Sequence, residues 1–227
     1  DKMLYTLPAD KHSPEDIRAV LEKHPEVKFV SLVGIDIGGH DTDEKIPVEE
    51  FLGDIEKFLK NGVQTDGSSV VLPKIAKLNN AKVDIIPDVT VNWFVDHNFN
   101  YPDPYTGLPV GTLRIPSSLV HNDSERVGSR VILRDAISNF KNDLMKLLKD
   151  NPYVFEYLDI DDVDEIDDIV ITSATELEFW VKTPDDDADR EQLSTAQMLK
   201  EQYWKRTTGP VRTALEEAML VLQKYGF

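Results

Sequence analysis

Three observations predict an α+β fold. Short runs rich in β-branched and aromatic residues alternate with single amphipathic helices, which points to one sheet covered by helices. A later segment, 129–150, reads as a long helix, with Ile132, Ala136, Phe140, Leu144, Leu147 and Leu148 on or near one face. Hydrophobic residues make up 41% of 227, enough for a sizeable core in one large domain or two smaller ones.

The elements follow in order. Ser13-Pro14-Glu15-Asp16 reads as a helix start, with an N-cap Ser, Pro at the first helical position and acids in the first turn. Ile17, Val20 and Leu21 give that helix one apolar face. Residues 27–36 (VKFVSLVGID) predict a strand, and Gly38-Gly39-His40-Asp41 a turn. From Pro47, a second helix carries Val48, Phe51, Leu52, Ile55, Phe58 and Leu59 to a stop at Gly62. Residues 83–86 and 90–95 suggest two further strands around Pro87-Asp88. Such an arrangement fits a half-open, ubiquitin-like β-roll, a β-grasp-like domain over 1–125. Residues 98–128, rich in Pro, Gly, Asn and Ser, read as a long excursion at its end. A second domain, 126–227, then opens with the helix at 129–150 and continues through a strand at 169–182 to a helix at 210–225. Nothing is left for that last helix to pack against before Phe227, so the chain reads as a truncated piece.

Charge narrows the partners. With 42 acidic and 25 basic residues the formal net charge is −17, which argues against nucleic acid or an anionic membrane surface. No apolar run is long enough to span a bilayer, and no secretion-signal pattern opens the chain. Cytoplasmic location is the default expectation. With no Cys, disulfides and thiolate metal sites are excluded. Much of the acid excess lies in residues 159–168 (DIDDVDEIDD) and 185–191 (DDDADRE). The first lacks the Gly and the final Glu of a calcium loop and reads as a solvated connection.

The most informative stretch is Ser173-Ala174-Thr175-Glu176-Leu177-Glu178-Phe179-Trp180. On a strand, alternate side chains share a face, so Glu176 and Glu178 point the same way, with Cα atoms roughly 7 Å apart. Two adjacent carboxylates on a largely apolar strand call for cations, and hard divalent ions suit oxygen ligands. The competing reading is the wet face of an exposed strand. A second candidate is Asp66-Gly67-Ser68-Ser69, a tight turn that can present a carboxylate, or be only a turn. The five His residues show no ligand spacing, and no phosphate-binding Gly-rich motif occurs. Tyr203-Trp204 read either as pocket aromatics or as core.

Taken together and in order over roughly 24–227, these pieces resemble glutamine synthetase, nearest the bacterial type I branch. Asp66-Gly67-Ser68-Ser69 is similar to that family's Phe-Asp-Gly-Ser-Ser loop, with Thr65 in place of the Phe and Val70-Val71-Leu72 where a Gly is usual. Residues 84–90 (DIIPDVT) resemble its Pro-Asp-x-x-Thr segment. Ser129-Arg130-Val131-Ile132-Leu133-Arg134 resembles the Pro-Arg-x-x-Leu opening of its linking helix. Ala174-Thr175-Glu176-Leu177-Glu178-Phe179 resembles Gly-x-Glu-x-Glu-Phe, with Ala for Gly.

The resemblance implies a glutamate–ammonia ligase that uses ATP and forms glutamine through γ-glutamyl phosphate. It implies Glu176 and Glu178 as ligands of two Mg²⁺ or Mn²⁺ ions that neutralise phosphate charge. Asp66 would bind and deprotonate ammonium in a neighbouring subunit's active site, with Ser69 and Tyr203 lining the same region. A homo-oligomer with shared sites is the implied assembly. The family's metal histidine, further metal Glu residues, ATP-binding Arg residues and flap Glu would lie beyond Phe227, so this piece is expected to be inactive alone. Two alternatives stand beside this reading. One is a relative that joins another amine to glutamate, the other a non-catalytic binding module on the same fold.

Overall fold

The computed structural model describes residues 3–70, 82–121, 127–176, 178 and 209–227. The fold is mixed α+β. By its internal contacts the chain forms two compact units, Asp1–Ile169 and Val170–Phe227, so the helix expected to open a second domain lies within the first unit. No described helix is long and apolar enough to cross a membrane.

In the first unit one seven-stranded sheet carries the helices. Its strands are β1 (Thr6–Leu7), β2 (Val27–Gly34), β3 (Glu44–Pro47), β4 (Val63–Asp66), β5 (Lys82–Pro87), β6 (Trp93–Pro102) and β7 (Pro109–Val120). β7 is the seam. It runs parallel to β2 along one edge, Val30 opposite Leu113. Along the other edge it pairs antiparallel first with β6 and then, from Ser117 to Val120, with β5. β1 extends the sheet beyond β6, β3 beyond β2 and β4 beyond β5.

The first helix, α1 (Pro14–Lys23), starts as the sequence predicts: the Ser13 hydroxyl accepts the Asp16 N–H at 3.1 Å. The predicted helix after Pro47 is two, α2 (Val48–Gly53) and α3 (Ile55–Asn61), broken at Asp54, whose backbone leaves the helical region (φ −137°, ψ 39°). Ile17, Leu21, Phe51 and Ile55 join Leu7, Val30, Leu32, Val83, Ile85, Trp93, Leu113 and Ile115 in one continuous core. Burial of these side chains is the main force holding sheet and helices together, at roughly 1.5–3 kcal/mol for each large apolar group.

Two expectations are corrected. The excursion placed at 98–128 is mostly strand, because β6 and β7 form a hairpin with its turn at Asp103, whose carboxylate accepts the Thr106 N–H at 3.0 Å. Pro and Asn suggested a loop, but the alternate residues Leu113, Ile115 and Leu119 turn to the core. The expected strand at 169–182 is absent from its described part: residues 169–176 have no regular structure and no sheet partner, and Val170 and Ile171 are exposed. Local β-propensity makes a strand only where a neighbour supplies the ladder.

The long helix α4 (Ser129–Asp150) matches its predicted bounds. Behind it lie a 3-10 turn (Pro152–Val154), the single-turn helix α5 (Phe155–Leu158) and a second 3-10 turn (Val163–Glu165). The acidic run is thus a capped turn: the Glu165 carboxylate accepts the N–H groups of Asp161 and Asp162, at 2.7 and 3.0 Å, and Asp162 caps Asp164. In the second unit, α6 (Gly209–Lys224) ends at Gly226, which takes φ +89°.

Candidate functional site

Asp66 is the last residue of β4, opposite Lys82 on β5. The 3-10 turn Gly67–Ser69 follows at once, and the Asp66 carboxylate caps it by accepting the Ser68 N–H at 2.8 Å. That bond, then the Ser68 hydroxyl, hold the Asp66 carboxyl below its ordinary value, slightly opposed by desolvation. The group is exposed, ionised at neutral pH, and in no ion pair with a described residue. The Ser68 N–H and hydroxyl take two of about four acceptor positions, and the others can take a cation. The same bonds favour its charged form, which attracts a cation such as ammonium.

The segments quoted at 84–90 and 129–134 meet in space. Asp88 follows β5, and its carboxylate accepts the Thr90 N–H at 2.8 Å and the Thr90 hydroxyl at 2.5 Å. The Arg130 guanidinium, in the first turn of α4, donates to the other oxygen of the same carboxylate. Partial burial works against ionisation of Asp88, but Thr90 and Arg130 outweigh it, and its carboxyl lies below its ordinary value. The Asp88 carbonyl accepts the Trp93 indole N–H at 2.9 Å, and the buried His12 ring stacks on Trp93 with centroids 3.7 Å apart. Asp66 and Asp88 sit at opposite ends of β5, so they do not share a pocket.

The remaining predicted residues fall elsewhere. Glu176 and Glu178 belong to the second unit and are exposed, on backbone without regular structure. Carboxylate oxygens suit Mg²⁺ or Mn²⁺ in type, but two acids give few of the ligands such an ion takes. Among the described residues no group of three His, Asp or Glu could hold a metal. The donor type fits, and the described residues supply two of the donors. Ser69 lies in the turn after Asp66 through its backbone. Tyr203 lies outside the described residues, as does Leu177 between the two Glu.

The Asp88–Arg130 pair is what residue-level reading missed. An Asx turn is legible in Asp88-Val89-Thr90, since Asp commonly binds the backbone two residues on. No local signal announces a partner 42 residues away. No protein-family model matches the chain, and no curated protein is found to match it.

Proposed function

We propose that this chain is the N-terminal part of an ATP-dependent ligase of the glutamine synthetase type, joining ammonia to glutamate. The observation that carries the reading is Asp66: an ionised, exposed carboxylate, fixed by the Ser68 N–H at the end of β4, with acceptor positions open toward solvent. A carboxylate so placed serves a site completed by another subunit, where it attracts and orients NH₄⁺. The ionised carboxylate attracts NH₄⁺ and is also the acceptor for the proton that must leave before the nitrogen attacks. A supporting observation is the contact of Asp88 with Arg130, which joins two of the motif segments into one structural unit.

Glu176 and Glu178 would contribute oxygen ligands to divalent ions, which in such a ligase neutralise phosphate and carboxylate charge. They are two members of a larger ligand set, so Mn²⁺ binding by the 227-residue chain is expected to be weak.

The test is glutamine formation and phosphate release from glutamate and ATP by the intact protein that contains this chain. Asp66→Asn is expected to lower kcat/KM for ammonia at least about 10²-fold, within the usual range for a positioned catalytic group. Turnover that depends on another amine, with none on ammonia, would move the assignment to a glutamate–amine ligase. Activity unchanged in both Asp66→Asn and Glu176→Ala would leave the binding-module reading.

A further inference from the structure

The β6–β7 hairpin ends in a turn that is fixed from several sides. The Asp103 N–H donates to the Leu108 carbonyl at 2.8 Å, and the Gly107 N–H donates to the Asp103 carbonyl at 2.8 Å, with Gly107 at φ +69°. The Thr106 hydroxyl accepts the Leu108 N–H at 3.3 Å. The buried Asp103 carboxylate takes the Thr106 N–H on one oxygen, and its other oxygen lies 3.6 Å from the Lys28 ammonium of β2. On this frame three aromatic side chains stand in water: Phe99 is 70% exposed, Tyr101 53% and Tyr105 92%. Phe99 and Tyr101 fall in a stretch with no paired residue on β7, where the Asn98 side chain accepts the Asn100 N–H at 3.1 Å.

Aromatic rings on a fixed frame lose little freedom when a partner covers them, which makes them effective contact groups. Their chemistry selects that partner. Ring faces are electron-rich and attract a guanidinium or ammonium group. Between Trp93 and Leu113 the chain carries Asp96 and Asp103 and no Lys or Arg, so the hairpin has no long cation of its own to lay on those faces. Lys28, which reaches this end from β2, is engaged by Asp103. The net charge of −17 draws cations toward the chain and repels a phosphate backbone, which disfavours stacked nucleic-acid bases. Area argues against a second copy. Aromatic side chains of about 150–250 Å² each, at these exposures, offer about 320–540 Å², short of the roughly 800 Å² per partner of a stable interface.

We propose that the end of the β6–β7 hairpin is a docking surface for an Arg-bearing segment of a partner protein, whose guanidinium groups stack on Phe99, Tyr101 and Tyr105. Arg suits these rings better than Lys, because its planar, weakly hydrated head stacks on an aromatic face. The hairpin end and Asp66 lie at opposite ends of β7: the turn precedes Pro109, whereas Val120 pairs with Asp84, close to Lys82 and its partner Asp66. Twelve strand residues separate them, about 40 Å. A partner held at the hairpin therefore leaves Asp66 uncovered, and the surface does not depend on the ligase reading.

The test titrates the ¹⁵N-labelled 227-residue chain with a short peptide of alternating Gly and Arg, and with the same peptide carrying uncharged citrulline for Arg. In about 150 mM NaCl, where exposed charges more than about 8 Å apart are screened, the Arg peptide should bind saturably and shift the amide signals of residues 98–108 most. The citrulline peptide should bind at least about fivefold more weakly. Tyr105→Ser, at a side chain almost wholly in solvent, should weaken the Arg peptide about threefold. Adding Phe99→Ser and Tyr101→Ser should remove the hairpin shifts, and if that triple variant loses the dispersed spectrum of the fold, Tyr105→Ser alone decides. Shifts centred on residues 159–168, equal binding of the citrulline peptide, or affinity unchanged in Tyr105→Ser would overturn the proposal. So would hairpin signals that move with protein concentration alone and stop moving in Tyr105→Ser, which would assign the surface to a second copy.

Discussion

At Gly62 the backbone turns out of α3 into β4 with φ +62°, and a Cβ there would lie 1.8 Å from the Ile85 carbonyl oxygen. Gly53, nine positions earlier, has nothing within 4 Å of its Cβ position. Alanine at the two sites should act in opposite directions. Gly62→Ala is expected to cost about 2–4 kcal/mol, from a backbone region nearly restricted to Gly plus the clash with β5. Gly53→Ala is expected to gain about 0.5 kcal/mol from helix propensity. Thermal unfolding of the two variants checks both. His97 makes a pH-dependent case. Burial lowers its pKa, only partly offset by the charges of Glu26 and Asp96, so it is neutral in the fold. A His whose folded pKa lies below the unfolded value of about 6.5 weakens the fold as pH falls through 6.5, because the unfolded chain takes the proton first. Urea midpoints at pH 7.5 and 5.5 should therefore differ, and His97→Phe should reduce the difference.

At the scale of elements, Asp88 titrates in the other sense. Its folded pKa is lowered, so its contribution is present above about 3.9 and lost as pH falls through the folded value. Asp88→Asn at pH 7 should cost about 1–2 kcal/mol, discounted for partial exposure of the pair, and should flatten the stability profile below pH 4. The β6–β7 hairpin offers a separate test. Asn98 pairs with Val110 and Pro102 with Pro109, so residues 99–101 have no paired residue on β7 and form a bulge that exposes Phe99 and Tyr101. Deleting residues 99–101 should close the ladder and leave the melting temperature within a few degrees. Sequence periodicity made α1, α4 and β2 legible, because each carries its own signal: a Ser-Pro start, a long apolar stripe, a β-branched run. β3 escaped notice because Glu44 and Lys45 lack apolar alternation and the strand exists by pairing with β2. The Asp66 turn was readable from four residues. Around Glu176 the lack of a strand was not, since a strand needs neighbours that local pattern does not encode.

Over the whole molecule the net charge of −17 acts against compaction. Raising NaCl from 10 mM to 300 mM shortens the Debye length from about 30 Å to about 6 Å, and the melting temperature is expected to rise by several degrees. A flat or falling response would show that pairs such as Arg114–Asp41 and Lys141–Asp168 outweigh the general repulsion. The seam at β7 sets the order of assembly. β2, β5 and β6 are all made before it, and each needs it for one edge. During synthesis at about 5–20 residues per second, a growing chain would carry β2 for about 4–17 s, and β6 for about 1–4 s, before β7 is complete. In that interval Val30, Leu32, Val83, Ile85 and Val95 are apolar strand surface awaiting a partner, a natural target for chaperones at the ribosome exit. The sheet can close once Val120 has emerged.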